Sequence, residues 1–155
     1  MTFRILHILD HSIPLHSGYA FRTLAILREQ RARGWSTIHL TTPKQGPTTV
    51  DRDTVDGWIF HRTPMAAGIA TSSAPTALMR QMLATQRRIA ELIAAETPDI
   101  VHAHSPVLNA FPALWAARRA GLPVVYEVRA LWEDAATDHG TTRERSVRYR
   151  LSRSL

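Results

Sequence analysis

The 155-residue chain has no cysteine, which excludes a disulfide scaffold, a thiolate metal site and a cysteine nucleophile. No apolar run approaches the ~20 residues that span a bilayer. The start is no secretory signal, because "ILHILDH" is short and broken by His7 and Asp10. A soluble, cytoplasmic protein is therefore expected. Lysine is nearly missing, Lys44 being the sole one, so arginine carries the basic charge. The fingerprints G-x-G-x-x-G and G-x-x-x-x-G-K-[ST] are both absent, which argues against a standard dinucleotide site and a P-loop. Nothing resembles a helix-turn-helix, an aromatic RNA-binding strand or a zinc finger.

What is present suits one domain. With 45% hydrophobic and 21% charged residues, the chain can bury a real core and is too short for two. The formal charge of +6 is unevenly spread. In residues 141–155, Arg143, Arg145, Arg148, Arg150 and Arg153 stand against Glu144, so five minus one gives +4 of the total. The rest is nearly balanced, and nucleic acid is not expected as a partner. Val147, Leu151 and Leu155 form a narrow apolar stripe among these arginines. Such a stripe suits packing on another domain or lying on an anionic membrane surface.

Hydrophobic period alternates between strand and helix. "FRILHIL" reads as a strand and "YAFRTLAILREQRARG" as a helix, with Ala20, Leu24 and Leu27 on one face and Gly34 as its stop. "WSTIHLTTP" is a second strand. Asp56-Gly57 is a two-residue hairpin signal, with Trp58 to Arg62 returning. "AGIATSSAP" reads as a small-residue loop. Thr76 to Glu96 is a long helix carrying Leu78, Met82, Ile89, Leu92 and Ile93 at helical spacing. "DIVHAH" is a strand, "PVLNAFPALWAARRAG" a helix and "LPVVYEV" a strand. This order predicts an α/β fold, a Rossmann-like three-layer α/β/α sandwich with a mostly parallel sheet.

In such sheets ligands bind beyond the carboxyl ends of the strands. There lie Asp10 to Gly18, His104 with Ser105, and Glu127, Arg129, Trp132 and Glu133. His102 and His104 share a strand face, yet a zinc site needs a third ligand and none adjoins them, so no metal is expected. His102 reads as a satisfied core histidine, His104 as the better site residue. Glu127 either pairs with Arg129 across the turn or works in the site. Trp132 either seals the core edge or lines the cleft.

"RILHILDHSIPLHSGYAFRT", "DIVHAHSP" and "VVYEVRALWEDAATDHGT" together resemble the N-terminal half of family 4 glycosyltransferases of the GT-B type. The closest likeness is to the subgroup associated with PEP-CTERM/exosortase polysaccharide clusters. It covers essentially the whole chain. The resemblance implies that residues 1–155 are the acceptor-side Rossmann-like domain of a two-domain enzyme. It implies that the loop holding His16, Ser17, Gly18 and Tyr19 approaches the donor diphosphate and lines the acceptor cleft. Gly18 matches the second glycine of the family's loop, and Ser17 replaces the first. Arg22 would meet phosphate or an anionic acceptor. His104 and Glu127 would be the catalytic candidates, and Ser105, Arg129, Trp132 and Glu133 would bind substrate. "EVRALWE" carries Ala130 where the family's R-D-L-W-P segment has aspartate, and Glu133 where it has proline.

The implied reaction is retaining, metal-independent transfer of a sugar from a nucleotide-sugar donor to a polysaccharide or lipid-linked acceptor, with no resident cofactor. The family's donor-side E-x7-E glutamate pair is absent from this sequence. The resemblance therefore implies that the C-terminal donor-binding domain is missing and that this chain alone is inactive. Enzymes of this kind act at the cytoplasmic membrane face, which gives the arginine tail an anionic surface to meet. Two other readings remain: a non-catalytic Rossmann-like binding or interaction module, and a histidine-based metal hydrolase.

Overall fold

Six strands and four helices alternate along residues 2–129, the part of the chain that the computed structural model describes. In order they are β1 (Arg4–Leu9), α1 (Gly18–Ala32), β2 (Ser36–Thr41), β3 (Arg52–Val55), β4 (Trp58–His61), α2 (Ala67–Ala70), α3 (Pro75–Glu96), β5 (Ile100–His104), α4 (Val107–Ala120) and β6 (Val124–Glu127). The strands form one sheet in the order β3-β4-β2-β1-β5-β6. All neighbours run parallel except the β3–β4 hairpin at one edge. The Rossmann-like α/β architecture expected from the alternation is the one present.

Local chemistry explains the boundaries. Ser17 caps α1 by accepting the Ala20 N–H at 3.0 Å, which satisfies a first-turn donor that has no helical partner. The hairpin turns on Asp56 and Gly57, whose φ angles of 50° and 75° match the right-handed twist of the flanking strands. α4 stops at Gly121 in the left-handed region. One stretch differs from expectation: "AGIATSSAP" is not wholly loop, since Ala67–Ala70 makes the short helix α2. Gln81 of α3 secures it, its amide donating to the carbonyls of Ile69 at 2.7 Å and Ser72 at 3.0 Å. The buried stripe of α3 is accordingly Ala77, Gln81, Thr85, Ile89 and Leu92. Its first half is more polar than the apolar period suggested, and Leu78, Met82 and Ile93 are only half-buried.

Alternation along the strands sorts side chains onto two faces. One face carries Leu6 and Ile8 of β1 with Val101 and Ala103 of β5, packed under α3 and α4 through Ile89, Leu92, Ala113, Ala116 and Ala117. The other lies under α1, where Ala20, Leu24 and Leu27 meet Leu9, Trp58 and Phe60. The centre of that second face is not apolar. Parallel register sets His39 of β2 beside His7 of β1, and His7 beside His102 of β5. With His104 this makes a band of histidines beneath α1. Each is kept neutral by burial: His7, His39, His102 and His104 are all pushed below the ordinary histidine value, His39 and His104 to about 4. The hydrogen bonds of His39 suit a neutral ring, with one nitrogen donating to the Ile59 carbonyl at 2.8 Å and the other facing the Thr37 hydroxyl at 2.9 Å.

Candidate functional site

Polar residues from the carboxyl ends of β5 and β6 and from α1 converge on one carboxylate. Glu127, the last residue of β6, accepts from Arg22 of α1 at 2.8 Å and lies 2.8 Å from His104 Nδ1. Arg129 Nε stands 3.3 Å from its other side. The His104 contact, with Arg129 behind it, holds its carboxyl well below the ordinary range, at about 2, against the opposing effect of burial. Arg129 is in turn fixed by the Thr23 hydroxyl at 2.8 Å and the Tyr19 carbonyl at 3.1 Å, with its guanidinium 4.3 Å over the Tyr19 ring. The Ser105 N–H donates to the Glu127 carbonyl at 2.9 Å, and Asn109 holds the His104 carbonyl from below at 2.9 Å. Glu127 therefore does pair with Arg129, but it is also the hub of a larger cluster.

His104 is the buried end of a relay. Its Nε2 is 2.9 Å from His7 Nδ1, and His7 Nε2 is 2.9 Å from the Gln30 side chain. Its Nδ1 faces both the Glu127 carboxylate and the Arg129 guanidinium. A neutral imidazole donates to the first or accepts from the second. The proton on His104 is thus sensitive to how those two arms are engaged.

His7 is the residue that sequence reasoning missed. Two histidines on one strand suggested no third ligand, yet the neighbouring strand supplies one, and ring nitrogens of His7, His102 and His104 lie within 4.8 Å of one another. His102 is also not the satisfied core histidine expected. It is half-buried against the His104 ring at 4.1 Å, and its Nε2 has no hydrogen-bond partner among the described residues, Glu127 being 3.5 Å away. The trio has the donor set of a metal site, but two nitrogens are spent on the His7–His104 contact and the Arg129 cation abuts a third.

The β1–α1 loop, the other predicted element, is tied down by buried hydrogen bonds. Arg62, almost fully buried, donates to the Ser12 hydroxyl at 2.8 Å and to Asp53 at 3.1 Å, while the Ser12 N–H donates to Gln45 at 2.8 Å. Ser17 and Gly18 open α1, and Tyr19 bridges loop and cluster by accepting the Asp10 N–H at 2.9 Å. A Cβ placed on Gly18 would meet nothing within 4 Å, and its backbone is not in the left-handed region. The fold itself does not demand glycine there. His16 stands apart, exposed, its ring 5.7 Å from that of Phe21. Trp132, Glu133 and the arginines from Arg143 to Arg153 lie outside the described residues.

Residues 17–155 match the profile of the glycosyl transferase 4-like domain. The chain belongs to that family. Its fold is shared with the calicheamicin glycosyltransferase (16% identity, 96% of this chain and 40% of that one, TM-score 0.54). It is also shared with the glycosyltransferase of kitacinnamycin (18% identity, 81% and 30%, TM-score 0.52). A hydrogenase C-terminal domain from Pyrococcus furiosus has the same architecture (15% identity, 81% and 91%, TM-score 0.54), so the fold alone does not specify chemistry. No curated protein matches the sequence. The glycosyl transferase 4-like chain thus spans less than half of either glycosyltransferase it resembles in fold. No helix among its described residues is long and apolar enough to cross a membrane.

Chemically, the cluster presents an exposed Arg22 guanidinium and a partly buried Glu127 carboxylate at the strand ends, with the buried His104 imidazole behind them. Carboxylates and imidazoles accept from sugar hydroxyls, and arginine meets phosphate in a fork geometry. The amides of the first turn of α1 add an anion-binding end.

Proposed function

We propose that this chain is the acceptor-side half of a retaining, metal-independent glycosyltransferase. The enzyme would pass a sugar from a nucleotide-sugar donor to a glycan or lipid-linked acceptor. The observation that carries this reading is the convergence of His104, Glu127, Arg22 and Arg129 at the strand ends of a glycosyl transferase 4-like domain. Glu127 and His104 would hold an acceptor hydroxyl, and Arg22 would swing from Glu127 to meet a phosphate oxygen or an anionic acceptor. Helix-end amides and arginines would stabilise the departing diphosphate. The sequence motifs favour the exosortase-associated subgroup, with the protein peripheral on the cytoplasmic membrane face. Donor base and sugar would be gripped by a second domain, so the 155-residue chain should bind acceptor weakly and transfer no sugar.

The test is a transfer assay on the purified chain with a panel of UDP- and GDP-sugars and lipid-linked or oligosaccharide acceptors. No transfer is expected. Reproducible turnover by this chain would overturn the half-enzyme reading.

A further inference from the structure

Asp10, His11 and Ser17 stand beside the Glu127 cluster but form a constellation of their own. His11 Nε2 is 2.7 Å from Ser17 Oγ, and His11 Nδ1 is 3.2 Å from Asp10 Oδ2. Proton positions follow from the partners. A carboxylate only accepts, so Nδ1 carries the proton and Nε2 is left with its lone pair. The Ser17 hydroxyl then donates to Nε2, while its oxygen accepts the Ala20 N–H at 3.0 Å. One set of protons satisfies every contact. This is the arrangement in which an oriented imidazole activates a hydroxyl, and it is recognised by geometry rather than by fold or chain order.

The base is held in place. The His11 ring stacks on Tyr19 at 4.7 Å, and the Asp10 carbonyl accepts from the Thr42 hydroxyl at 2.9 Å. The constellation is also reachable: the Asp10 and His11 side chains are each 21% exposed, and the space in front of Gly18 is open. The Gly18 amide, next to Ser17, belongs to a first turn whose N–H groups lack helical acceptors and favour negative charge. Leu15 and Phe21, two residues before and four residues after the serine in the chain, are both exposed apolar side chains.

We propose that Ser17 is a nucleophile activated by His11 and Asp10, and that it takes an acyl group from small esters. Ser17 Oγ bonds to the ester carbonyl carbon as its proton passes to His11 Nε2. Negative charge on the carbonyl oxygen is met by the amides opening α1. The bond to the leaving alcohol then breaks, and the alcohol departs with the proton from His11. A water molecule, giving a proton to the same nitrogen, attacks the acyl-serine, and the proton returns to Ser17 as the acid leaves. Leu15 and Phe21 suit a short acyl chain rather than a charged one. This chemistry stands or falls independently of glycosyl transfer.

The experiment uses the 155-residue chain with p-nitrophenyl butyrate as substrate and a fluorophosphonate as covalent probe. Ester hydrolysis and a single adduct, mapped by peptide mass to Ser17, are expected. His11→Asn should slow both by roughly a hundredfold, the usual share of a general base. Ser17→Asp, which keeps a helix-capping oxygen but no nucleophile, should stay folded by circular dichroism and take no label. Absence of an adduct on the parent protein, an adduct on another hydroxyl, or equal labelling of His11→Asn would each overturn the proposal and leave Ser17 a helix cap.

Discussion

Mild acid should destabilise this domain through the histidines beneath α1. Burial holds His39 and His104 at about 4, against an ordinary value near 6.5 in an unfolded chain. Folding therefore weakens their hold on protons, and the unfolded chain takes up more of them as pH falls. Their contribution to stability is complete above about pH 7 and declines as pH drops through 6.5. It stops changing below about pH 4. At pH 5 an unfolded histidine is almost fully protonated and His39 about a tenth so, a difference of about 2 kcal/mol per residue. The pair amounts to about 4 kcal/mol, and His7, shifted in the same direction, adds to it. Glu127 does not confuse the window, because its own contribution is lost only as pH falls below its ordinary value near 4.5. Typical domain stabilities are about 5–15 kcal/mol, so the loss should be plain. Urea unfolding, followed by tryptophan fluorescence at pH 7.5 and 5.0, measures it. His39→Gln should remove about 2 kcal/mol of the pH difference, whatever it does to stability at pH 7.5. Stabilities equal within about 1 kcal/mol at the two pH values would refute the reasoning and show that these rings protonate freely in the folded protein.

Three further outcomes are expected. Gly18→Val should leave the thermal midpoint of this chain within a few degrees, since a Cβ there meets nothing, yet it should block transfer by any active form by filling the approach to the helix end; a folded variant with full transfer would remove Gly18 from the site. Elemental analysis of the purified chain should find no stoichiometric zinc or manganese, because Arg129 and the His7–His104 contact occupy the histidine trio; about one ion per chain, lost in His104→Ala, would make that trio a metal centre. Finally, Arg145→Glu with Arg148→Glu should weaken co-sedimentation with anionic vesicles by roughly tenfold or more, at ~1 kcal/mol per arginine near the surface; unchanged binding would assign the tail to domain packing.

The elements were legible because each rests on local signals. Apolar β1, Asp56-Gly57 and the stop at Gly121 act within a few residues of themselves, and sequence displays such signals directly. The helix α2 escaped because its residues are small and its support comes from Gln81, on the following helix. The rule that polar residues gather at strand ends found Glu127, His104 and Arg129, and the family resemblance added Arg22. It could not reveal that they share one carboxylate, which depends on β1 lying between β2 and β5. His7 was missed for the same reason. A histidine between Ile5 and Leu9 looks like an isolated exception, until parallel register aligns it with His39 and His102. The available signal was a histidine near the middle of three strands, which a parallel sheet must bring side by side.

In the proposed reading an acceptor glycan meets this chain at the strand ends around Glu127. Chemical-shift mapping of the isotope-labelled chain, titrated with oligosaccharides into the millimolar range, tests it most directly. Weak, saturable shifts are expected at Ser17 to Arg22, at His104 and Ser105, and at Glu127 to Arg129, all reduced in Glu127→Ala. Shifts centred at the opposite end of the sheet, around Arg4, Ser36 and Asp99, or a pattern unaffected by Glu127→Ala, would contradict it.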